Sequence, residues 1–261
     1  MSGTVYLVGA GPGAADLLTL RAVRLLEAAD VVLHDALIAE EVLSIAARAH
    51  KVAVGKRCGR HSTAQRFINK RLADAARRYP VVVRLKGGDP MVFGRAHEEI
   101  AYLKARSIRV EVVPGVTAAL AASAELGISL TRRGVARTIV FATPRVGEGE
   151  RESSWVESVL AADSAAIYMG AGQAEAISAA LISAGKPADT PVAVVEDATR
   201  SGMRAQYATL GELPSIETRG GPTLILLGEV YREALRSTRS CDAGLPVPEP
   251  SAAIPARGRR G

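Results

Sequence analysis

The chain has 261 residues, 33 basic against 27 acidic side chains for a net charge of +6, and 48% hydrophobic but only 4% aromatic content. That is enough for one large core or two modest ones, with no apolar run near the roughly 20 residues a bilayer span needs and no Lys/Arg-striped, aromatic-interleaved helix to mark a nucleic-acid binder. Cys58 and Cys241 lie far apart in unlike contexts, so neither a disulfide framework nor a metal cluster is implied.

Met1-Ser2-Gly3-Thr4 leads into an apolar run with no basic segment and no cleavage pattern, so a cytoplasmic chain beginning here is expected. Residues 5–8 read as a first strand, followed by Gly9-Ala10-Gly11-Pro12-Gly13 and a helix with Asp16 or Thr19 as N-cap. A second strand over 30–34 ends at Asp35, and 40–49 is helical in pattern. A third strand over 51–54 runs into a glycine-basic turn, Gly55-Lys56-Arg57-Cys58-Gly59-Arg60-His61-Ser62. Ser62 or Thr63 can cap a helix reaching residue 78.

Pro80-Val81-Val82-Val83 has the composition of a strand buried on both faces. It ends in Arg84-Leu85-Lys86-Gly87-Gly88-Asp89-Pro90, where the glycines permit close backbone approach and Pro90 moves Asp89 out of helical geometry. Ligands bind at the carboxyl ends of strands in open α/β sheets, so this turn is a candidate site. A helix over 97–105, a strand over 109–113 and a small-residue helix opened by Pro114-Gly115-Val116-Thr117-Ala118 complete a strand–helix alternation that predicts a mostly parallel sheet.

The loop at 128–134 breaks that pattern. Strands are expected beyond it at 138–142, 165–168, 191–195, 206–210 and 223–227, with helices over 152–160 and 173–184, which predicts an α/β half with a mixed sheet. The expected organisation is an N-terminal α/β domain over 1–130, a C-terminal one over 131–236, and a disordered tail over 237–261, where Pro, Gly and Arg recur without period. Gly9-x-Gly11-Pro12-Gly13 departs from the dinucleotide fingerprint because its third glycine comes too early and Pro12 removes an amide. An oxidoreductase reading would need NAD here, with Asp30 on the ribose.

Several segments in order resemble the tetrapyrrole methylases, and among them the uroporphyrinogen-III C-methyltransferases. They are Val5 to Gly13 with Leu17-Leu18-Thr19-Leu20; Val54 to Ser62; Arg84 to Pro90 with Phe93-Gly94-Arg95; Val113 to Ala118; and Tyr168-Met169-Gly170. The resemblance implies a two-domain class III methyltransferase fold with S-adenosyl-L-methionine held in the cleft between the domains. Its cofactor contacts fall on Pro12, Gly87, Gly88, Asp89, Val92, Thr117, Ala118 and Met169, with Ala198 and Thr223 as further contacts. The proton acceptor falls on Asp35 and the donor on Lys56, and Arg57, Arg60, Arg84, Arg95 and Arg132 are candidates for an acidic tetrapyrrole, since guanidinium groups suit carboxylates.

The implied activity is methylation of uroporphyrinogen III in two steps, through precorrin-1 to precorrin-2, in siroheme or cobalamin synthesis, by a homodimer with no metal. Another precorrin methylase, the NAD-dependent oxidoreductase and a non-catalytic tetrapyrrole binder are the alternatives. The sequence departs from the family pattern at His34, Ala96-His97, Arg132 and Thr143-Pro144-Arg145, mostly on the substrate side. Gly88→Val is expected to abolish cofactor binding while leaving the fold intact.

Overall fold

The valine-rich runs form the centre of a parallel sheet in the computed structural model, which describes residues 2–55, 65–147 and 153–241. Strands β1 (Thr4–Gly9), β2 (Val31–His34), β3 (His50–Ala53), β4 (Val81–Lys86) and β5 (Val110–Val113) lie in the order β3-β2-β4-β1-β5. Every neighbouring pair is parallel, so all of their carboxyl ends share one edge.

Helices α1 (Leu20–Ala28) and α2 (Glu40–Ile45) cover one face, packing Ala22, Leu26, Val42 and Leu43 against Val8, Val32, Val83 and Leu85. Helices α3 (Gln65–Ala76) and α4 (Ala96–Lys104) cover the other, packing Ile68, Leu72 and Leu103 against Val5, Val31 and Val82. Cover on both faces is why these strands are continuously apolar instead of alternating. Each fully buried side chain of this size contributes about 1.5–3 kcal/mol. Thr19 caps α1, its Oγ1 accepting from Ala22 N at 3.1 Å, which satisfies one of the amides a helix start leaves open.

Helix α5 (Ala118–Leu126) carries the chain onto a second sheet of β6 (Ile139–Ala142), β7 (Ser164–Ile167), β8 (Pro191–Glu196), β9 (Arg204–Thr209) and β10 (Thr223–Gly228), in the order β6-β7-β10-β8-β9. Only β6 and β7 pair in parallel; the other pairs are antiparallel. The mixed character expected of this half is therefore present. Helices α6 (Trp155–Ala161) and α7 (Ala174–Ser183) cover one face, and Ala119 and Ala122 of α5 pack on the other with Leu224, Leu226 and Tyr231. Alanines at that contact let the helix sit close to the strands.

Several element ends shift by a few residues, and two of the differences have a clear physical reason. α2 stops at Ile45 because Ala46 leaves helical geometry at φ −82°, ψ 56°, and a turn follows. At the other end, α8 (Arg232–Cys241) runs through Ser237, into the stretch expected to begin the tail. Arg239 anchors it, donating from Nη2 to both carboxylate oxygens of Glu212 at 2.7 and 2.6 Å. The remaining tail, 242–261, lies outside the described residues.

Candidate functional site

The first half of the site comes from parallel-sheet geometry. Loops leave the aligned carboxyl ends of β1, β2, β4 and β5, and three glycines let two of them and the start of a third interlock. Gly11 and Gly88 pair as an antiparallel bridge, Gly88 N donating to Gly11 O at 2.7 Å and Gly11 N to Gly88 O at 3.2 Å. A Cβ on Gly115 would lie 2.3 Å from Gly88 O and 2.9 Å from Gly9 Cα, so no side chain fits there. Asp89 ties the knot, its Oδ1 accepting from Met91 N at 2.7 Å and its Oδ2 from Gly115 N at 2.9 Å. Gly87 is exposed, and a Cβ on it would meet nothing within 4 Å. The interlocked loops thus present bare backbone to open space.

The second sheet supplies the facing wall. Because β10 runs antiparallel to both β7 and β8, the carboxyl ends of β7 and β8 share an edge with the amino end of β10. That edge meets the loops of the first sheet. The Tyr168 hydroxyl lies 2.8 Å from Thr117 Oγ1 and accepts from Ala119 N at 3.1 Å, and its ring packs against Phe93 at 5.1 Å between centroids. Ala14 N donates to Thr199 Oγ1 at 3.1 Å, and Arg200 Nη2 to Leu37 O at 2.5 Å. The two carboxyl edges therefore enclose one cleft.

Backbone strain collects along it. Among the described residues, non-glycine positive φ occurs at Phe93, Arg95, Met169, Asp197 and Thr199 on the cleft loops, and at Ser107 away from them. Each such residue costs of order 1–3 kcal/mol, which tertiary contacts must offset, and clusters of this kind mark ligand sites. Pro12, Gly87, Gly88, Asp89, Val92, Thr117, Ala118, Met169, Ala198 and Thr223 all lie on these strand-end loops or at the start of the elements they lead into. A cavity of about 250 Å3 opens beside the end of β7, lined by Gly170, Ala174, Val194, Pro214, Thr218 and Thr223.

Asp35, immediately after β2, accepts from Arg84 Nη2 at 2.5 Å through Oδ1, with its side chain one-third exposed. The loop leaving β3 passes directly beside it, since a Cβ on Gly55 would fall 2.9 Å from Asp35 Cα. Lys56, Arg57 and Arg60 follow Gly55 and lie outside the described residues.

Arg84 is not at a substrate mouth. It is 2% exposed, and besides Asp35 it donates from Nε to Glu99 Oε1 at 3.0 Å and from Nη1 to Leu85 O at 3.1 Å. Burial lowers its pKa, but Asp35 and Glu99 more than offset that, and it ends above the ordinary arginine value. Glu99, fully buried, also receives Lys86 Nζ at 3.2 and 3.3 Å and Gln65 Nε2 at 3.3 Å. Burial, then the neighbouring Arg84, pushes the Lys86 ammonium down from the usual lysine range. Glu99 and Lys86 were not among the expected site residues. The signal available was period-two spacing: Val82, Arg84 and Lys86 point to one face of β4, so the charges continue a buried row and require a buried acid.

Arg132 is also misplaced by expectation. It sits before β6, at the opposite end of the second sheet from Met169, and pairs with Glu233 of α8 at 2.9 Å. Arg95 does flank the cleft, at the start of α4, where it grips Glu98 with Nε at 2.6 Å and Nη2 at 2.9 Å. The glycine loop after β1 is no pyrophosphate cradle. Its amides at Ala10, Gly11 and Ala14 are taken by Lys86 O, Gly88 O and Thr199 Oγ1, and the Arg200 side chain covers Gly13.

Residues 4–214 match the family model described as tetrapyrrole (corrin/porphyrin) methylases. A siroheme synthase of Pseudoalteromonas translucida is 42% identical over 232 residues, covering 87% of this chain and 49% of that protein. The chain spans about half the length of the curated relatives it matches. The crystal structure of a uroporphyrin-III C-methyl transferase from Thermus thermophilus complexed with S-adenyl homocysteine is similar with a TM-score of 0.78 and 41% identity, over 88% of this chain and 94% of that one. A cobalt precorrin-4 methyltransferase is similar with a TM-score of 0.75 and 28% identity, over 87% of this chain and 95% of that one. No helix among the described residues is long and apolar enough to cross a membrane.

Proposed function

The chain belongs to the tetrapyrrole methylases, and on that premise we propose that it transfers methyl groups from S-adenosyl-L-methionine to carbon atoms of uroporphyrinogen III. The product is precorrin-2, reached through precorrin-1, for siroheme or cobalamin synthesis. The observation that carries this is the cleft between the two carboxyl edges, floored by the exposed backbone of Gly87 beside the Gly11–Gly88 bridge.

The residues fit the methyl donor. Gly87 leaves room for a ligand against the main chain. Gly88 and Asp89 complete the loop, Pro12, Val92, Thr117, Ala118, Met169 and Ala198 are assigned as further contacts, and the cavity lined by Gly170 and Thr223 has room for a flat heterocycle. Both carboxylate oxygens of Asp89 already accept backbone amides, so its part in binding is to shape the loop. When bound, the donor supplies an electrophilic methyl group on a sulfonium. The protein's share of the chemistry is mainly to hold the pyrrole carbon in line with that methyl group and to exclude water.

Asp35 follows β2 at the carboxyl edge of the first sheet, beside Gly55, and Lys56 comes next to Gly55 in the sequence; these are the groups assigned to proton handling. Arg57, Arg60 and Arg95 are assigned to the substrate carboxylates. The enzyme is taken to act as a cytoplasmic homodimer. The oxidoreductase alternative is disfavoured because the first glycine loop has its amides already occupied.

The test is incubation of the purified chain with reduced uroporphyrinogen III and S-adenosyl-L-methionine under anaerobic conditions. The expected result is a tetrapyrrole heavier by two methyl groups, with S-adenosyl-L-homocysteine released in step. A folded protein that binds the cofactor product but methylates only a different precorrin would overturn the substrate assignment. One that binds NAD and not the cofactor product would overturn the reading altogether.

A further inference from the structure

Building on the methyltransferase reading, we propose that Arg84, held from behind by the buried carboxylate of Glu99, is a positioning residue that fixes Asp35 at the cleft as a resident anion. In this arrangement Asp35 contributes its charge and orientation to the methyl transfer, and Arg84 and Glu99 act only through it.

The network has one exposed end. Glu99 is 0% exposed, Arg84 2% and Lys86 5%, whereas the Asp35 side chain is 33% exposed. All three guanidinium nitrogens of Arg84 are engaged within it, Nε on Glu99 Oε1, Nη1 on Leu85 O and Nη2 on Asp35 Oδ1. Glu99 in turn is steadied by Lys86 Nζ on both oxygens and by Gln65 Nε2, and Gln65 also donates to Asn69 Oδ1 at 2.9 Å. Two cations, Arg84 and Lys86, thus face two anions, Glu99 and Asp35, and removing either anion leaves an uncompensated buried charge. Buried ion pairs of this kind seldom improve stability over an apolar core, so their retention at the base of a cleft is better explained by what they orient. Rigid support from β2, β4, α3 and α4 converges on a single carboxylate.

The chemistry gives that carboxylate a use. As the pyrrole carbon forms its bond to the methyl group, the bond from sulfur to methyl breaks and sulfur leaves as a neutral thioether. The positive charge passes to the pyrrole ring, and a ring proton is then lost to a base, Asp35 or water, which restores the ring's neutrality. A preorganised anion beside the ring stabilises the charge where it appears without reorganising as it does so. A guanidinium suits the positioning role because its planar fork reaches two acids at once, which a lysine amine in the same place cannot do with fixed geometry.

The experiment compares wild type with Arg84→Lys, Glu99→Gln, Asp35→Asn and the double variant Arg84→Lys/Asp35→Asn, all in the full chain. It reads kcat and KM for uroporphyrinogen III, affinity for S-adenosyl-L-homocysteine by calorimetry, and thermal melting. The expected result is that Arg84→Lys and Glu99→Gln lower kcat by about tenfold or more, with KM and cofactor-product affinity within about twofold. The double variant should fall no further than Asp35→Asn alone, since the residues act as a unit. Unchanged kcat in either folded variant overturns the proposal, as does a rise in KM at constant kcat, which would mean direct substrate contact, or full additivity in the double variant. If Arg84→Lys melts below the assay temperature, Glu99→Gln, which keeps the shape and a hydrogen-bonding oxygen, decides the same question. Absence of methyl transfer by the wild-type protein would instead sink the methyltransferase reading and this inference with it.

Discussion

The hydroxyl of Tyr168, in the turn leaving the second sheet, lies 2.8 Å from the hydroxyl of Thr117, in the loop leaving the first, and accepts the amide of Ala119 at 3.1 Å. Half-buried, it is held protonated: burial raises its pKa, while its bonds to Thr117 and Ala119 pull it partly back. This latch joins the two walls of the cleft at the start of α5. Tyr168→Phe keeps the ring contacts with Phe93 and Phe141 and removes only the latch. The expected loss is about 1 kcal/mol, read as a several-fold weaker affinity for S-adenosyl-L-homocysteine in calorimetry with little change in melting temperature.

The glycines of the cleft separate fold from function. At Gly115 a Cβ would collide with Gly88 O and Gly9 Cα, so Gly115→Ala should lower the melting temperature and disorder the loop. At Gly87 the same substitution meets nothing within 4 Å. Gly87→Ala should melt like wild type yet bind the cofactor product at least about tenfold more weakly, because the new methyl occupies the ligand's approach. Gly88→Val, expected from the sequence to spare the fold, is the poorer probe. Gly88 has φ +64°, where a β-branched residue is strained by roughly 1–2 kcal/mol.

Glu99→Ala leaves Arg84 and Lys86 without their shared buried partner. Breaking a buried pair from one side costs about 3–5 kcal/mol. Urea unfolding should show that loss as a lower midpoint at an unchanged slope, and Glu99→Gln should recover part of it.

Asp163 closes the amino end of β7 onto β6, its Oδ2 accepting from Arg137 N at 2.8 Å and from Thr138 N and Oγ1 at 2.9 Å each. The amide of Arg137, then the hydroxyl and amide of Thr138, hold its pKa below the ordinary aspartate value of 3.8. A depressed carboxylate contributes stability that is present above 3.8 and is lost as pH falls through the lower folded value. Melting of wild type and Asp163→Ala should therefore differ clearly at neutral pH, with the gap narrowing as pH is taken below that range.

Much of the architecture is legible in the order of residues alone. Runs such as Val81-Val82-Val83 and Val31-Val32-Leu33 are apolar on both faces, which only a sheet covered on both sides can use, and the spacing of strand and helix patterns tells a parallel first sheet from a mixed second one. The local chemistry of the loops is also readable, since Gly87-Gly88-Asp89-Pro90 has few backbone options. Even the cap of α1 narrows to Asp16 or Thr19 from sequence, because such a bond spans only three residues, and the structure selects Thr19.

What could not be read depends on partners distant in sequence. Arg84 looks like a surface cation when only its neighbours are known; Glu99, 15 positions on, and Asp35, 49 positions back, make it a buried clamp. Arg132 is grouped with the cleft by its neighbours in sequence, but strand direction puts it at the far end of the second sheet, against Glu233. The sequence by itself determined which segments become strands, helices and tight glycine turns, because those follow from local periodicity and backbone freedom. Only the tertiary structure decided which charges are buried, what holds Asp35 from behind, and that Tyr168 latches the two walls of the cleft, because each depends on bringing distant residues within hydrogen-bond reach.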